Sequence, residues 1–200
     1  MPTIFWCFLT NRTFQQMRII SGKNKGKKLI APKKLPVRPT TDMAKESLFN
    51  ILNNYYYFDS IKVLDLFAGT GNISLEFASR GAEMVTAVDI DSGCTRFIER
   101  MSTEMNMEDF DIIKEDVFKF LNKTNIKADV IFADPPYDFS QEQFESIPKI
   151  VFEREMLNEN GMLIVEHFNK MDLSEAANFS FSKRYGSSVF SFFEISSEEE

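Results

Sequence analysis

The stretch Val63-Leu-Asp-Leu-Phe-Ala-Gly-Thr-Gly-Asn72 decides how the chain is read. Apolar residues run into two glycines, and a helical pattern follows. This is a strand buried on both faces, a tight turn and the start of a helix. Glycine lets the chain turn sharply and lets a ligand approach the backbone with no Cβ in the way. Gly69 and Gly71 alone are weak evidence, because nucleotide enzymes of many kinds carry such a pair. A dinucleotide fingerprint asks for a third small residue, and Ser74 stands in that place. Asp65, just before the turn, is more telling. Its carboxylate would repel a pyrophosphate and attract a cofactor bearing an amino group and a sulfonium. The charge therefore favours S-adenosylmethionine over a nicotinamide dinucleotide.

Outward from this turn, strands and helices alternate. Strands are expected at Lys62–Leu66, Met84–Asp89, Asp111–Lys114, Asp129–Ala133 and Met162–Glu166. Helices are expected at Asn72–Ser79, Ser92–Met105, Val117–Leu121 and Gln141–Leu157. Alternation of this kind builds an α/β fold on a parallel, doubly wound sheet. Phe179–Arg184 and Ser188–Ile195 alternate apolar and polar residues around Tyr185-Gly186-Ser187, which predicts an antiparallel hairpin closing the sheet edge. Upstream, Thr40 or Thr41 can cap an amphipathic helix over residues 42–53. Three prolines between Ala31 and Thr40 predict an extended linker. Arg18 to Ile30, with Gly22 and Gly26, predicts a short hairpin with basic side chains toward solvent. Tyr55, Tyr56 and Tyr57 are expected to pack against the sheet, and His167 to end the fifth strand partly exposed.

Ligands of open α/β sheets bind at the carboxyl ends of the strands. Four carboxylates fall there. Asp65 lies near the end of the first strand, before the turn. Asp89 follows the second and can accept both hydroxyls of a ribose, with Asp91 as its fallback. Asp116 follows the third; it can accept from an adenine amino group, cap the next helix, or do both. Asp134 opens Asp134-Pro135-Pro136-Tyr137 after the fourth. Two prolines remove two backbone donors and fix the chain. A carboxylate and a rigid carbonyl can then hold the two hydrogens of an amino group, and the tyrosine ring can stack on a base.

Composition sets the outer limits. The chain has 200 residues, of which 44% are hydrophobic and 21 are Phe, enough for one core. No apolar run approaches the roughly 18 residues of a membrane span. Cys7 and Cys94 are isolated and His167 is the only histidine, so neither a disulfide framework nor a metal site is expected. This usage fits a reducing, cytoplasmic setting. The net charge is −7, yet Met17 to Arg38 carries +8 through Arg18, Lys23, Lys25, Lys27, Lys28, Lys33, Lys34 and Arg38. Such a local patch can attract phosphates from an acidic protein. Three parts are expected: an extension over residues 1–16 that contributes little, a basic RNA-binding hairpin and linker over 17–40, and a methyltransferase domain over 41–196.

The combination of DLFAGTG, DPPY, RIISGKNKGKKL and VRPTTDMAKESLFNIL resembles the RsmD-type 16S rRNA (guanine-N2) methyltransferases. The resemblance spans about residues 17–195. It implies a Rossmann-like class I methyltransferase fold with a mostly parallel seven-stranded sheet and an antiparallel C-terminal hairpin. It implies S-adenosylmethionine as cofactor and small-subunit rRNA, free or in a particle or assembly intermediate, as partner. Asp65, Gly69 and Gly71 would line the methionine end of the cofactor, Asp89 the ribose and Asp116 the adenine, with Phe67, Ile90 and Val117 beside them. Asp134, Pro135, Pro136 and Tyr137 would receive the guanine. Arg18, Lys23, Lys25, Lys27, Lys28 and Arg38 would hold RNA phosphates, and the segment with Thr40 and Thr41 would cover the site. The enzyme would act in the cytoplasm as a monomer. Rival readings are methylation of adenine N6 or of a protein glutamine, a non-catalytic RNA-binding assembly protein, and a nicotinamide oxidoreductase.

Overall fold

A computed structural model describes residues 14–32, 35 and 40–195. Most of the extension, part of the linker and Arg38 lie outside the described residues. The described chain opens with two antiparallel strands, β1 (Phe14–Arg18) and β2 (Lys28–Pro32). Helix α1 (Asp42–Leu52) follows. Then come β3 (Lys62–Leu66), α2 (Ser74–Ser79), β4 (Met84–Asp89), α3 (Ser92–Glu104), β5 (Phe110–Lys114), α4 (Val117–Lys123), β6 (Ala128–Ala133) and α5 (Gln141–Glu153). Strands β7 (Leu157–Phe168), β8 (Phe179–Tyr185) and β9 (Ser188–Glu194) complete the order.

The main sheet runs β5-β4-β3-β6-β7-β9-β8. Strands β3 to β7 are parallel, and β9 and β8 join as an antiparallel pair. The expected mixed seven-stranded sheet is therefore present. Both of its faces are covered, which explains the unbroken apolar runs. Leu64, Leu66, Ile131, Ala133, Leu163 and Val165 face α4 and α5. Val63, Val85, Val130, Phe132, Met162 and Ile164 pack with α1 and Phe77 of α2.

The β1–β2 hairpin lies on α2 and α3. Met17, Ile19, Leu29 and Ala31 are buried against Leu75, Phe97, Ile98 and Met101, while the intervening Arg18 and Ile30 and the adjacent Lys28 face solvent. Each large side chain buried there contributes about 1.5–3 kcal/mol. The turn of the hairpin docks on the far ends of both helices. Lys23 N–H donates to the Ser79 carbonyl (2.7 Å), and Asn24 Nδ2 donates to that of Met105. At Gly22 the backbone φ is +82°, and a Cβ would lie 1.8 Å from the Ser79 carbonyl oxygen, so only glycine fits.

Three local expectations need correction. Helix α5 stops at Glu153 rather than continuing to Leu157, because Glu155 turns left-handed (φ +49°) and Leu157 already belongs to β7. His167 is buried, not partly exposed; its ring nitrogens meet Ser191 Oγ (2.8 Å) and the Phe168 carbonyl (2.9 Å). Of the three tyrosines only Tyr56 packs, donating to the Asn160 carbonyl (2.9 Å), while Tyr55 and Tyr57 are exposed. No helix among the described residues is long and apolar enough to cross a membrane.

Candidate cofactor and acceptor site

A cavity of about 720 Å³ opens at the carboxyl ends of β3, β4 and β6. Asp65, Asp89, Asp116 and Asp134 all line it, with Phe67, Gly69, Ile90 and Val117 from the expected cofactor set. Pro135, Pro136, Tyr137 and Thr40 line it as well. Topology produces this gathering. Each of the parallel strands β3, β4, β5 and β6 brings a carboxylate at or just beyond its carboxyl end to the same rim.

The glycine turn is held by the acids around it. Phe67 adopts a left-handed backbone (φ +59°), uncommon for so bulky a residue, and such strain concentrates at ligand sites. Its ring meets Phe139 (centroids 5.7 Å apart) and Phe118 (6.3 Å) edge-on, so an aromatic wall stands beside the turn. Gly69 N–H donates to the Asp89 carboxylate (2.7 Å). Ser74 N–H (3.0 Å) and the Ser74 hydroxyl both donate to Asp65 Oδ2. Burial raises Asp65 to about 7, against the pull of Ser74. Burial also raises Asp89, opposed by the amides of Asp91 and Gly69. Two desolvated acids on one wall favour a cationic ligand, whose charge would draw Asp65 toward the ionised form.

Asp91 caps α3, accepting from the amides of Gly93 (2.7 Å) and Cys94 (2.9 Å). Asp89 likewise accepts from two backbone amides, those of Gly69 and Asp91, and both acids line the cavity. Asp116 caps α4 through Lys119 N–H (3.0 Å) and lines the cavity too. Gly71 does not line the cavity. Its φ is +71° and a Cβ there would meet Ile98 Cγ1 at 2.9 Å, so it lets the turn pack on α3. Thr41 is likewise absent from the wall and caps α1 through Ala44 N–H (3.2 Å).

On the acceptor side, Asp134 N–H donates to the Leu66 carbonyl (3.4 Å), and Phe139 N–H to that of Pro136 (3.1 Å). These bonds close the loop after β6 over the rim. Tyr137 is 40% exposed, its ring 4.0 Å from that of Phe168. Thr70, Asn72, Ile73, Cys94, Phe132 and Phe139 also line the cavity and escaped sequence reading. Thr70 and Asn72 lay inside the quoted turn; Phe139 stands two residues past the Pro-Pro-Tyr motif. The Cys94 thiol is buried and pushed up to about 12, so it is no nucleophile. No cluster of metal-ligating side chains is found among the described residues.

The basic turn lies elsewhere. Lys23 and Asn24 sit at the C-terminal ends of α2 and α3, the end of the sheet remote from the cavity. Arg18 is nearer the mouth, paired with Asp42 (2.7 Å), and Lys27 is paired with Glu104 (3.7 Å). Exposed pairs of this kind are weak and exchange readily for phosphate.

The family model described as Conserved hypothetical protein 95 matches residues 17–194. YlbH of Bacillus subtilis is 34% identical over 165 residues, which is 80% of this chain and 86% of that protein. The Ribosomal RNA small subunit methyltransferase D of Buchnera aphidicola is 30% identical over 175 residues, covering 86% of this chain and 89% of that one. The solved structure of yhhF from Escherichia coli superposes with a TM-score of 0.76 at 26% identity, over 90% of this chain and 98% of that chain.

Proposed function

The chain belongs to the Conserved hypothetical protein 95 family, and from that premise we propose that it methylates the exocyclic N2 amino group of a guanine in small-subunit ribosomal RNA. The observation that carries this reading is the shared rim. Asp65 and Asp89 stand on one wall of the cavity, and Asp134-Pro135-Pro136-Tyr137 on the same opening. The methyl donor is S-adenosylmethionine, which supplies an electrophilic methyl on a sulfonium.

Asp65 and the glycine turn would hold the charged amino-acid end of the donor. Asp89 would accept from the ribose, with Asp116, Ile90 and Val117 around the adenine. The N2 lone pair of guanine is delocalised into the ring and is a poor nucleophile. Asp134 and the Pro135 carbonyl would accept its two hydrogens, raise electron density on nitrogen and face the positive charge that develops. Holding the amino group in attack geometry lowers the barrier by several kcal/mol more. The base must leave its stack to enter, at a cost of a few kcal/mol, and Tyr137 would stack on it. Arg18, Lys28 and the Lys23–Lys27 turn would contact phosphates. Because the turn lies at the remote end, those phosphates belong to RNA well away from the target base. The substrate would be rRNA free or in a small subunit or its assembly intermediate, and the enzyme would work as a cytoplasmic monomer.

Incubation with methyl-labelled S-adenosylmethionine and small-subunit particles or rRNA is expected to put label into RNA. Label in protein would favour the glutamine reading, and no transfer would favour a non-catalytic assembly role.

A pH dependence follows from Asp65. Its carboxyl ionises near 7 without ligand, and a cation beside it favours the ionised form. Binding therefore releases a proton: affinity is highest above pH 7 and falls as pH drops through it. Calorimetric titration should find binding about fivefold weaker at pH 6 than at pH 7. Equal affinity at both would place the cation elsewhere.

A further inference from the structure

Lys45 of α1 is fully buried, with Nζ within reach of three separate elements. It donates to the Arg18 carbonyl of β1 (2.8 Å) and to Asn72 Oδ1 in the glycine loop (2.9 Å), and pairs with Glu76 of α2 (3.2 Å). Glu76 also accepts from the amides of Ile20 (2.8 Å) and Ser21 (3.0 Å) and from Arg80 Nε (2.8 Å). The three N–H donors of the ammonium thus meet three acceptors, and Asn72 is one of them. Asn72 in turn donates from Nδ2 to the Thr40 carbonyl (3.0 Å), and Thr40 Oγ1 donates to Glu166 of β7 (2.7 Å). In the sheet, β6 lies between β3 and β7. Thr40 is therefore anchored to the loop after β3 on one side and to β7 on the other. It straddles the strand that delivers Asp134.

A buried ammonium is costly unless it is well used. Glu76 supplies the nearest negative charge, and the bond to the neutral Asn72 side chain has a separate consequence. We propose that Lys45 is a positioning residue for methyl transfer: acting through Asn72, it fixes Thr40 as the wall of the acceptor side of the cavity. The hairpin carrying Arg18 is tied to the same ammonium, so docking of the N-terminal strands and the shape of the acceptor site are set at one point. The proposal rests on the methyl-transfer reading above, and concerns the RNA side of the cavity rather than the cofactor side.

The test uses the full chain and the labelled-RNA assay, once wild-type protein has been shown to transfer methyl; absence of that transfer would sink the reading beneath, not this inference. Asn72→Ala, Lys45→Met and their combination are compared for kcat/KM toward RNA and for cofactor Kd. Each single change should lower kcat/KM for RNA about tenfold, the scale of a lost charge-assisted hydrogen bond, and Lys45→Met, whose side chain does not line the cavity, should keep cofactor Kd within about twofold. The combination should be no worse than the poorer single variant, because the two act in series. Lys45→Met leaves Glu76 without its cation, so Lys45→Met/Glu76→Gln is made alongside to remove the orphaned charge. That protein should melt closer to wild type yet stay slow. Recovery of wild-type kcat/KM in it would reduce Lys45 to a folding role and overturn the proposal. Multiplying losses in the Asn72→Ala/Lys45→Met protein would overturn it too.

Discussion

Asp134→Ala is expected to lower kcat by roughly 10²–10⁴-fold, while S-adenosylmethionine binds almost as tightly as before. The asymmetry follows from where the residue stands. Asp134 follows β6, beyond the buried run Val130–Ala133, and reaches the cavity from the loop that carries Pro135 and Pro136. The walls assigned to the cofactor come from the loops after β3, β4 and β5 and do not include it. Removing its carboxylate would take away the acceptor proposed to activate an amino nitrogen and face its developing charge, a loss felt most in the transition state. Cofactor contacts stay in place, so calorimetry should see little change. Turnover near wild type would strip Asp134 of its role. Asp134→Asn separates the two parts of that role, since an amide keeps one acceptor and loses the charge.

The second large effect is opposite in kind. Asp89→Ala should weaken cofactor binding about a hundredfold, as two charge-assisted hydrogen bonds of at least ~1.5 kcal/mol each are lost. Its two oxygens already accept from Gly69 N–H and Asp91 N–H, both at 2.7 Å. Each oxygen keeps a second lone pair for a ribose hydroxyl. The backbone bonds hold the carboxylate in one orientation and fasten the glycine turn to it, so the mutation also loosens the turn. Asp91→Ala is the control. It removes the cap of α3, which costs about 1 kcal/mol of stability, and should leave cofactor affinity nearly unchanged. A tight Asp89→Ala complex with a weak Asp91→Ala complex would reverse the assignment.

The strands and the four rim acids were legible because their signals are local. Lys62–Leu66 and Met84–Asp89 were read to the residue. An apolar run followed by a turn leaves little choice where both faces are buried, and the carboxyl-end rule then places the acids. What was illegible depends on contacts between distant residues. Thr40 and Glu166 are 126 positions apart, and Lys45 and Asn72 are 27 apart. Nothing in the spacing of a lysine on an amphipathic helix says that its ammonium is buried beside a glycine loop. The hairpin is a case between. Its existence and its basic character were readable, but the direction in which it lies on α2 and α3 is a matter of packing. That direction puts the lysine turn at the far end of the sheet instead of beside the target base. Asp65 was read as a pole for a cation; the structure adds that the same carboxylate fastens the start of α2 through Ser74.

Which atom receives the methyl group bears most directly on the chemistry assigned to this rim. Small-subunit rRNA methylated with labelled S-adenosylmethionine, digested to nucleosides and resolved by mass and retention, should carry its label as N2-methylguanosine at one position. Label recovered as N6-methyladenosine, or RNA left unlabelled by protein that binds the donor, would contradict it.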